Sequence, residues 1–144
     1  MKKFFHKLLG TGFALLLMVG AIFAMSLSAN AATTSVSIGG VTLNSGEYLP
    51  TGQTTKTTTK PSGGYAYFNN GVLTLHNYEL NTVKEIKTVV QGALTLTLSG
   101  TSTVTYTGSS SALYVSGGNL TVSGNGKLIM NASAEKYSDG IFLQ

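Results

Sequence analysis

Val72-Leu73-Thr74-Leu75, Ala93-Leu94-Thr95-Leu96 and Asn119-Leu120-Thr121-Val122 are three copies of one short phrase. Leu73 and Leu94 are 21 residues apart, and Leu94 and Leu120 are 26 apart. Self-similarity at a period in the twenties marks a solenoid, whose coils cannot bury an apolar face alone and must stack. A companion phrase travels with the first: Tyr67-Phe68-Asn69-Asn70-Gly71, then Thr88-Val89-Val90-Gln91-Gly92, then Tyr114-Val115-Ser116-Gly117-Gly118. Phe142-Leu143-Gln144 opens a fourth copy. Strand parity assigns the faces, with Leu113, Val115, Leu120, Val122, Leu128 and Met130 inside and their neighbours outside. The spacing predicts Leu73, Leu94 and Leu120 in one core column, Thr74, Thr95 and Thr121 in an outer ladder, and Tyr67, Thr88, Tyr114 and Phe142 in a second. Like-residue ladders stabilise sheets laterally, so both have a purely structural explanation as well.

The first residues are a targeting segment. Lys2, Lys3 and Lys7 form a basic n-region, residues 8–27 are apolar, and Ala29-Asn30-Ala31 is a small-x-small cleavage site, so 1–31 reads as a signal peptide and the protein as exported. An uncleaved anchor is the competing reading, because twenty apolar residues can span a bilayer; the cleavage site and the polar sequence behind it favour removal, with no membrane association afterwards. The chain has no cysteine, which removes lipoprotein attachment, disulfides, thiol catalysis and thiolate metal sites and suits a bacterial exported protein.

Removing the leader takes three of nine lysines and none of the five acids, leaving a net charge near +1. There is no arginine and no lysine cluster to neutralise phosphates, so nucleic acid is not an expected partner.

Residues 32–64 read as N-terminal cap strands and a loop. Val36, Ile38, Val41 and Leu43 alternate with Ser35, Ser37 and Thr42 around Gly39-Gly40, as two short strands or one bulged strand. Residues 50–64 are rich in Thr, Lys, Gly and Pro without apolar periodicity, which is a loop composition. Leu49-Pro50-Thr51-Gly52 lacks the residue between Pro and Thr that a sortase signal requires. Residues 65–144 read as short coils. Tyr65 to Leu75 also fits a hairpin around Asn69-Asn70-Gly71, while Ser116-Gly117-Gly118 and Gly124-Asn125-Gly126 favour coil corners. Residues 83–90, rich in β-branched side chains, read as mostly strand. Residues 138–144 read as the opening of a further strand, which predicts a β-helix truncated at the C-terminus and a longer parent protein with further domains.

Enzymatic chemistry finds no support. A lyase or glycosidase site needs a basic residue or paired carboxylates at corresponding positions, whereas Glu47, Glu79, Glu85, Glu135 and Asp139 are scattered over different copies and loops. His76 has no Ser, Cys or paired acid at a readable spacing and suits a surface or turn position. Glu135 and Asp139 offer too few oxygens for calcium, so no metal site is assigned. What remains is an outer surface dense in hydroxyls, amides and Tyr, groups that hydrogen-bond sugar hydroxyls and pack against pyranose faces. Tyr67, Tyr114, Thr74, Thr95 and Thr121 are the candidate carbohydrate-binding residues, with Tyr65, Tyr78 and Tyr106 behind them. All are also ordinary strand residues.

The leader, the stretch Gly63-Gly64-Tyr65-Ala66-Tyr67-Phe68-Asn69-Asn70-Gly71-Val72-Leu73-Thr74-Leu75 and the stretch Leu120-Thr121-Val122-Ser123-Gly124-Asn125-Gly126-Lys127-Leu128 together resemble secreted or cell-surface proteins of Gram-positive bacteria. These carry a right-handed parallel β-helix shaped like that of pectate lyases, some as carbohydrate-binding domains. The resemblance runs over about residues 36 to 144 and implies extracellular or cell-wall-attached polysaccharide binding or adhesion, with calcium in some members and no ligand transferable to a residue here. The expectation is thus an all-β, right-handed parallel β-helix (β-solenoid) of three to four coils behind an N-terminal cap, its hand resting on the resemblance and on the right-handed preference of parallel connections. An antiparallel β-sandwich is the alternative fold. The expected function is a non-catalytic carbohydrate-binding module for polysaccharide or cell-wall glycan; the alternatives are a structural stalk or adhesin repeat without a ligand and, through Thr95-Leu96-Thr97, binding to ice or a crystalline surface.

Overall fold

The computed structural model describes residues 31–89, 91–133 and 140–144; the predicted leader up to residue 30, Val90, Glu135 and Asp139 lie outside the described residues. The described residues are all-β, in three sheets that do not close into a barrel. Three early strands, β1 (Ser35–Ile38), β2 (Val41–Asn44) and β3 (Glu47–Pro50), precede a long loop and the hairpin of β4 (Tyr65–Asn69) and β5 (Val72–His76). Then follow β6 (Glu79–Thr82), β7 (Ile86–Thr88), β8 (Leu94–Ser99), β9 (Thr101–Tyr106), β10 (Leu113–Val115), β11 (Leu120–Gly124), β12 (Lys127–Ala132) and β13 (Ile141–Leu143).

From β5 onward every third strand joins the same sheet in parallel: β5 with β8 and β11, β6 with β9 and β12, β7 with β10 and β13. Antiparallel pairing, which the sandwich alternative requires throughout, occurs among the described strands only where one of β1 to β4 takes part. The hairpin β1–β2 adds to β7, giving the order β13-β10-β7-β1-β2, and β4 and β3 add to β5, giving β11-β8-β5-β4-β3. The third sheet, β12-β9-β6, has no such addition among the described residues. The Asn69-Asn70-Gly71 turn is therefore a hairpin and not a coil corner. Asn70 and Gly71 have φ of 45° and 78°, the two positive values that a two-residue turn matched to strand twist needs.

The parity of the strands is as expected except in β7, where Thr88 faces inward, and their register is not. Leu94 pairs with Leu120, but Leu73 lies opposite Leu96, so Leu73, Leu94 and Leu120 do not share one column. The observed columns are Leu73–Leu96–Val122 and Leu75–Leu98–Gly124. Strand β8 reads Leu-Thr-Leu-Thr-Leu-Ser, so the repeated phrase fits it at two positions two residues apart. A slip of two leaves every side chain on its own face. The step from β5 to its parallel partner β8 is consequently 23 residues, the separation of His76 and Ser99, whose Nδ1 and Oγ lie 3.1 Å apart.

Alternate residues of these strands build one core. Leu73, Leu75, Leu94, Leu96, Val104 and Leu113 are buried along the coils, and Val36, Ile38, Leu43, Leu49 and Phe68 continue the core into the cap. At the opposite end β11, β12 and β13 have no further strand beside them among the described residues, and Val122, Ile141, Phe142 and Leu143 are exposed there. Open strand edges beside apolar side chains template pairing with another chain. Purified protein is expected to associate as concentration rises, visible as a growing mass in light scattering; a constant monomer mass over two decades of concentration contradicts this.

Candidate functional site

The outer face of the β3-β4-β5-β8-β11 sheet gathers four of the five candidate residues. The register places Tyr48, Tyr67, Thr74, Thr97 and Ser123 in one straight row across five strands. A second row runs Asn69, Val72, Thr95 and Thr121, and a third runs Pro50, Tyr65, His76 and Ser99. The expected ladder Thr74–Thr95–Thr121 is thus split: Thr74 stands over Thr97, and Thr95 stands between Val72 and Thr121, the same two-residue shift that moved the leucines. Strands about 4.8 Å apart set the spacing of groups within a row. Thr97 Oγ1 and Ser123 Oγ are hydrogen-bonded at 3.0 Å, so part of this row is satisfied within the protein.

The aromatic end of the face is packed against itself. Tyr67 stacks on Tyr48 with centroids 4.2 Å apart and planes 26° from parallel, and Tyr65 meets Tyr48 edge-on at 5.4 Å. Tyr65 also covers the His76 ring at 5.0 Å and carries the Lys60 ammonium 5.6 Å above its centroid. One face of Tyr67 is therefore occupied, while its half-buried side chain leaves edge and hydroxyl for an outside partner. Sequence reasoning placed Tyr67 here without finding Tyr48, which belongs to a strand beyond the repeat.

Tyr114 lies on a different sheet. Its ladder is Lys87–Tyr114–Phe142, with Tyr114 and Phe142 stacked at 5.4 Å and Tyr114 Oη donating to Gln144 Oε1. Two members of the expected ladder are elsewhere. Tyr67 is in the neighbouring sheet, and Thr88 points inward, where its Oγ1 accepts the Ser116 N–H at 3.1 Å. Tyr78 and Tyr106, reserve candidates for the surface, are each 1% exposed and belong to the interior. Tyr106 Oη accepts the Ser110 N–H at 2.9 Å. Burial pushes the Tyr78 phenol well above its ordinary pKa, so it is neutral throughout the physiological range.

The long loop is tied down beside the aromatic cluster. Lys56 Nζ donates to Glu47 Oε2 at 2.7 Å and to the Thr42 carbonyl at 3.1 Å, and the Asn44 N–H reaches the same Glu47 oxygen at 2.7 Å. Lys56 first, and then the Asn44 N–H, hold the Glu47 carboxyl below the usual carboxylate range. A lowered pKa means that the tether is complete at neutral pH and weakens only as pH falls through that lowered value.

A groove of about 640 Å³ opens elsewhere, along the free edge of β6. Ile38, Val41, Leu49, Tyr78 and Leu80 form its apolar part, and Thr51, Gln53, Glu79 and Asn81 supply polar groups at its margin. Among the described residues no three His, Asp or Glu side chains gather in a way that would hold a metal ion. Comparison with protein-family models, curated proteins and solved structures returned no match to this chain.

Proposed function

We propose that this chain is a non-catalytic, exported carbohydrate-binding module, secreted or held at the cell wall, whose partner is a polysaccharide or cell-wall glycan. In this reading the three-sheet stack is a right-handed parallel β-helix with an antiparallel cap. One observation carries the function: Tyr48, Tyr67, Thr74, Thr97 and Ser123 lie in a straight row on an outer face without charged strand residues. A row of neutral hydroxyls ending in aromatic groups suits a linear, uncharged chain of sugars, which offers a hydroxyl at each step and an apolar ring face at its end. The leader and the resemblance to Gram-positive surface proteins support the location, and the low net charge of residues 32–144 fits the exclusion of nucleic acid. Calcium has no assigned place in it.

The test is retention on insoluble cellulose, chitin, xylan, pectin and peptidoglycan. Retention on at least one is expected, with Tyr67→Ala weakening it about tenfold and Thr97→Val about fivefold, the effect of losing one aromatic contact or one hydrogen bond. Thermal melting checks that both variants fold. If the folded protein is retained on none of these polymers, the second reading takes over: a structural stalk or adhesin repeat, favoured by the Thr97–Ser123 bond, in which the outer row serves its own sheet.

A further inference from the structure

Two sheets continue for two strands beyond the first coil, and the third does not. Past β7 come β1 and β2; past β5 come β4 and β3; past β6 there is no strand among the described residues. The step so formed is two strand spacings deep, about 10 Å, and the groove occupies it, walled by Ile38 and Val41 on one side and Leu49 on the other.

The backbone along this step is left with unused hydrogen-bonding groups. The Tyr78 and Thr82 carbonyls accept from Thr103 N–H at 2.8 Å and Thr107 N–H at 3.0 Å, so even-numbered residues of this stretch turn toward β9. Glu79 and Asn81 therefore turn their N–H and C=O groups to the open side. The Glu79 N–H is taken by Thr51 Oγ1 at 3.2 Å. The N–H and C=O of Asn81 have no partner among the described residues. The Glu79 carboxylate has no ion-pair partner among them either, whereas Glu47 and Glu85 each have a lysine. Tyr78, 1% exposed, lines the same groove.

We propose that this groove is a docking site for an extended peptide that adds antiparallel to β6 as a fourth strand of its sheet. Unsatisfied main-chain groups on a strand edge are what strand addition uses, and neighbouring side-chain positions then set specificity. The antiparallel sense follows the other two sheets, where β1 and β4 add antiparallel to β7 and β5. A residue opposite Asn81 exchanges both main-chain hydrogen bonds with it and faces outward, so its two neighbours face inward toward Val41 and Leu80, the half-buried apolar residues of the groove, and are apolar. The residue opposite Glu79 faces outward as well and is lysine or arginine. A whole second copy of this chain does not fit, because the walls of the step stop its blunt edges before they reach β6.

The probe is the dye-labelled, end-blocked peptide Thr-Val-Thr-Val-Lys-Thr, titrated into the full mature chain by fluorescence anisotropy. Saturable binding is expected, about tenfold weaker for Asn81→Pro, which deletes the outward N–H without touching the β9 ladder. Methylating the backbone nitrogen of the probe's central threonine gives the same loss with the protein unaltered, so the outcome does not depend on how the proline variant folds. Glu79→Gln weakens binding about threefold at low salt and has no effect when the probe's lysine is replaced by threonine. Absence of saturable binding overturns the proposal. So does binding indifferent to both backbone changes, or displacement of the probe by soluble oligosaccharides, which would make the groove a sugar site.

Discussion

Phe68→Ala is expected to lower the unfolding free energy by about 3–5 kcal/mol, the usual cost of emptying a fully buried aromatic site. Phe68 is completely buried on the inner side of β4, opposite Leu73, where the cap meets the first coil. The surrounding strands are held by ladders on both sides, with β5 paired to β4 along its whole length and β3 paired to Tyr65 through Phe68, so they cannot collapse into the space. A small domain has about 5–15 kcal/mol in all, and this single loss removes a large part of it. Urea unfolding should show a lower midpoint at an unchanged slope. Val122→Ala, at a position 57% exposed on the open end, serves as the comparison and should stay within about 0.5 kcal/mol. Equal effects from the two substitutions would show that the cap does not share the core of the coils.

Gly124→Ala is expected to cost about 3 kcal/mol and to loosen the last coil selectively. Gly124 closes β11 with φ of 93°, a conformation costing a residue with a Cβ about 1–3 kcal/mol. An added Cβ would also stand 2.2 Å from the Leu98 carbonyl oxygen and 2.8 Å from the Leu98 nitrogen, both main-chain atoms of the coil beneath. Backbone in a ladder cannot move aside as a side chain can, so β11 must lift. Gly46→Ala isolates the strain: Gly46 has φ of 89° and nothing within 4 Å of the added atom. Amide exchange at Gly126 and Lys127, which donate to the Leu98 and Gly100 carbonyls, should accelerate in the Gly124 variant and not in the Gly46 variant. If Gly124→Ala is no worse than Gly46→Ala, the corners do not stack closely enough to set the coil spacing.

The faces of the coils were legible in the sequence because alternation is a local property. Leu94, Leu96 and Leu98 must share a side whichever strand they meet. Register was not legible, because β8 repeats every two residues and offers no mark by which Leu94 differs from Leu96. The discriminating contacts lie at the corner, where Asn77 N–H meets the Ser99 carbonyl at 3.1 Å and Asn77 Oδ1 accepts the Thr101 N–H at 3.1 Å. Repeat phrases do not include that corner. Thr88 was read outward because a threonine carries no signal of side; its register partner Tyr114 is in fact shifted onto Lys87. Tyr78 and Tyr106 misled for a related reason, since an aromatic residue with a hydroxyl suits either surface or interior. The Asn70-Gly71 hairpin was within reach, as its residues fit the turn chemistry, but the later corners outweighed it. Four of the five candidate surface residues fall on one face. The groove beside β6 has no sequence signature at all, because it arises from unequal numbers of strands in three sheets.

The arrangement of parallel coils under an antiparallel cap gives the molecule a polarity of valence. At the capped end β2 and β3 stand two strands beyond β6, so the outermost strands of the three sheets are staggered, whereas at the other end β11, β12 and β13 are outermost among the described residues. Among the described residues, a partner that pairs with strands therefore meets a stepped end on one side and a level end on the other.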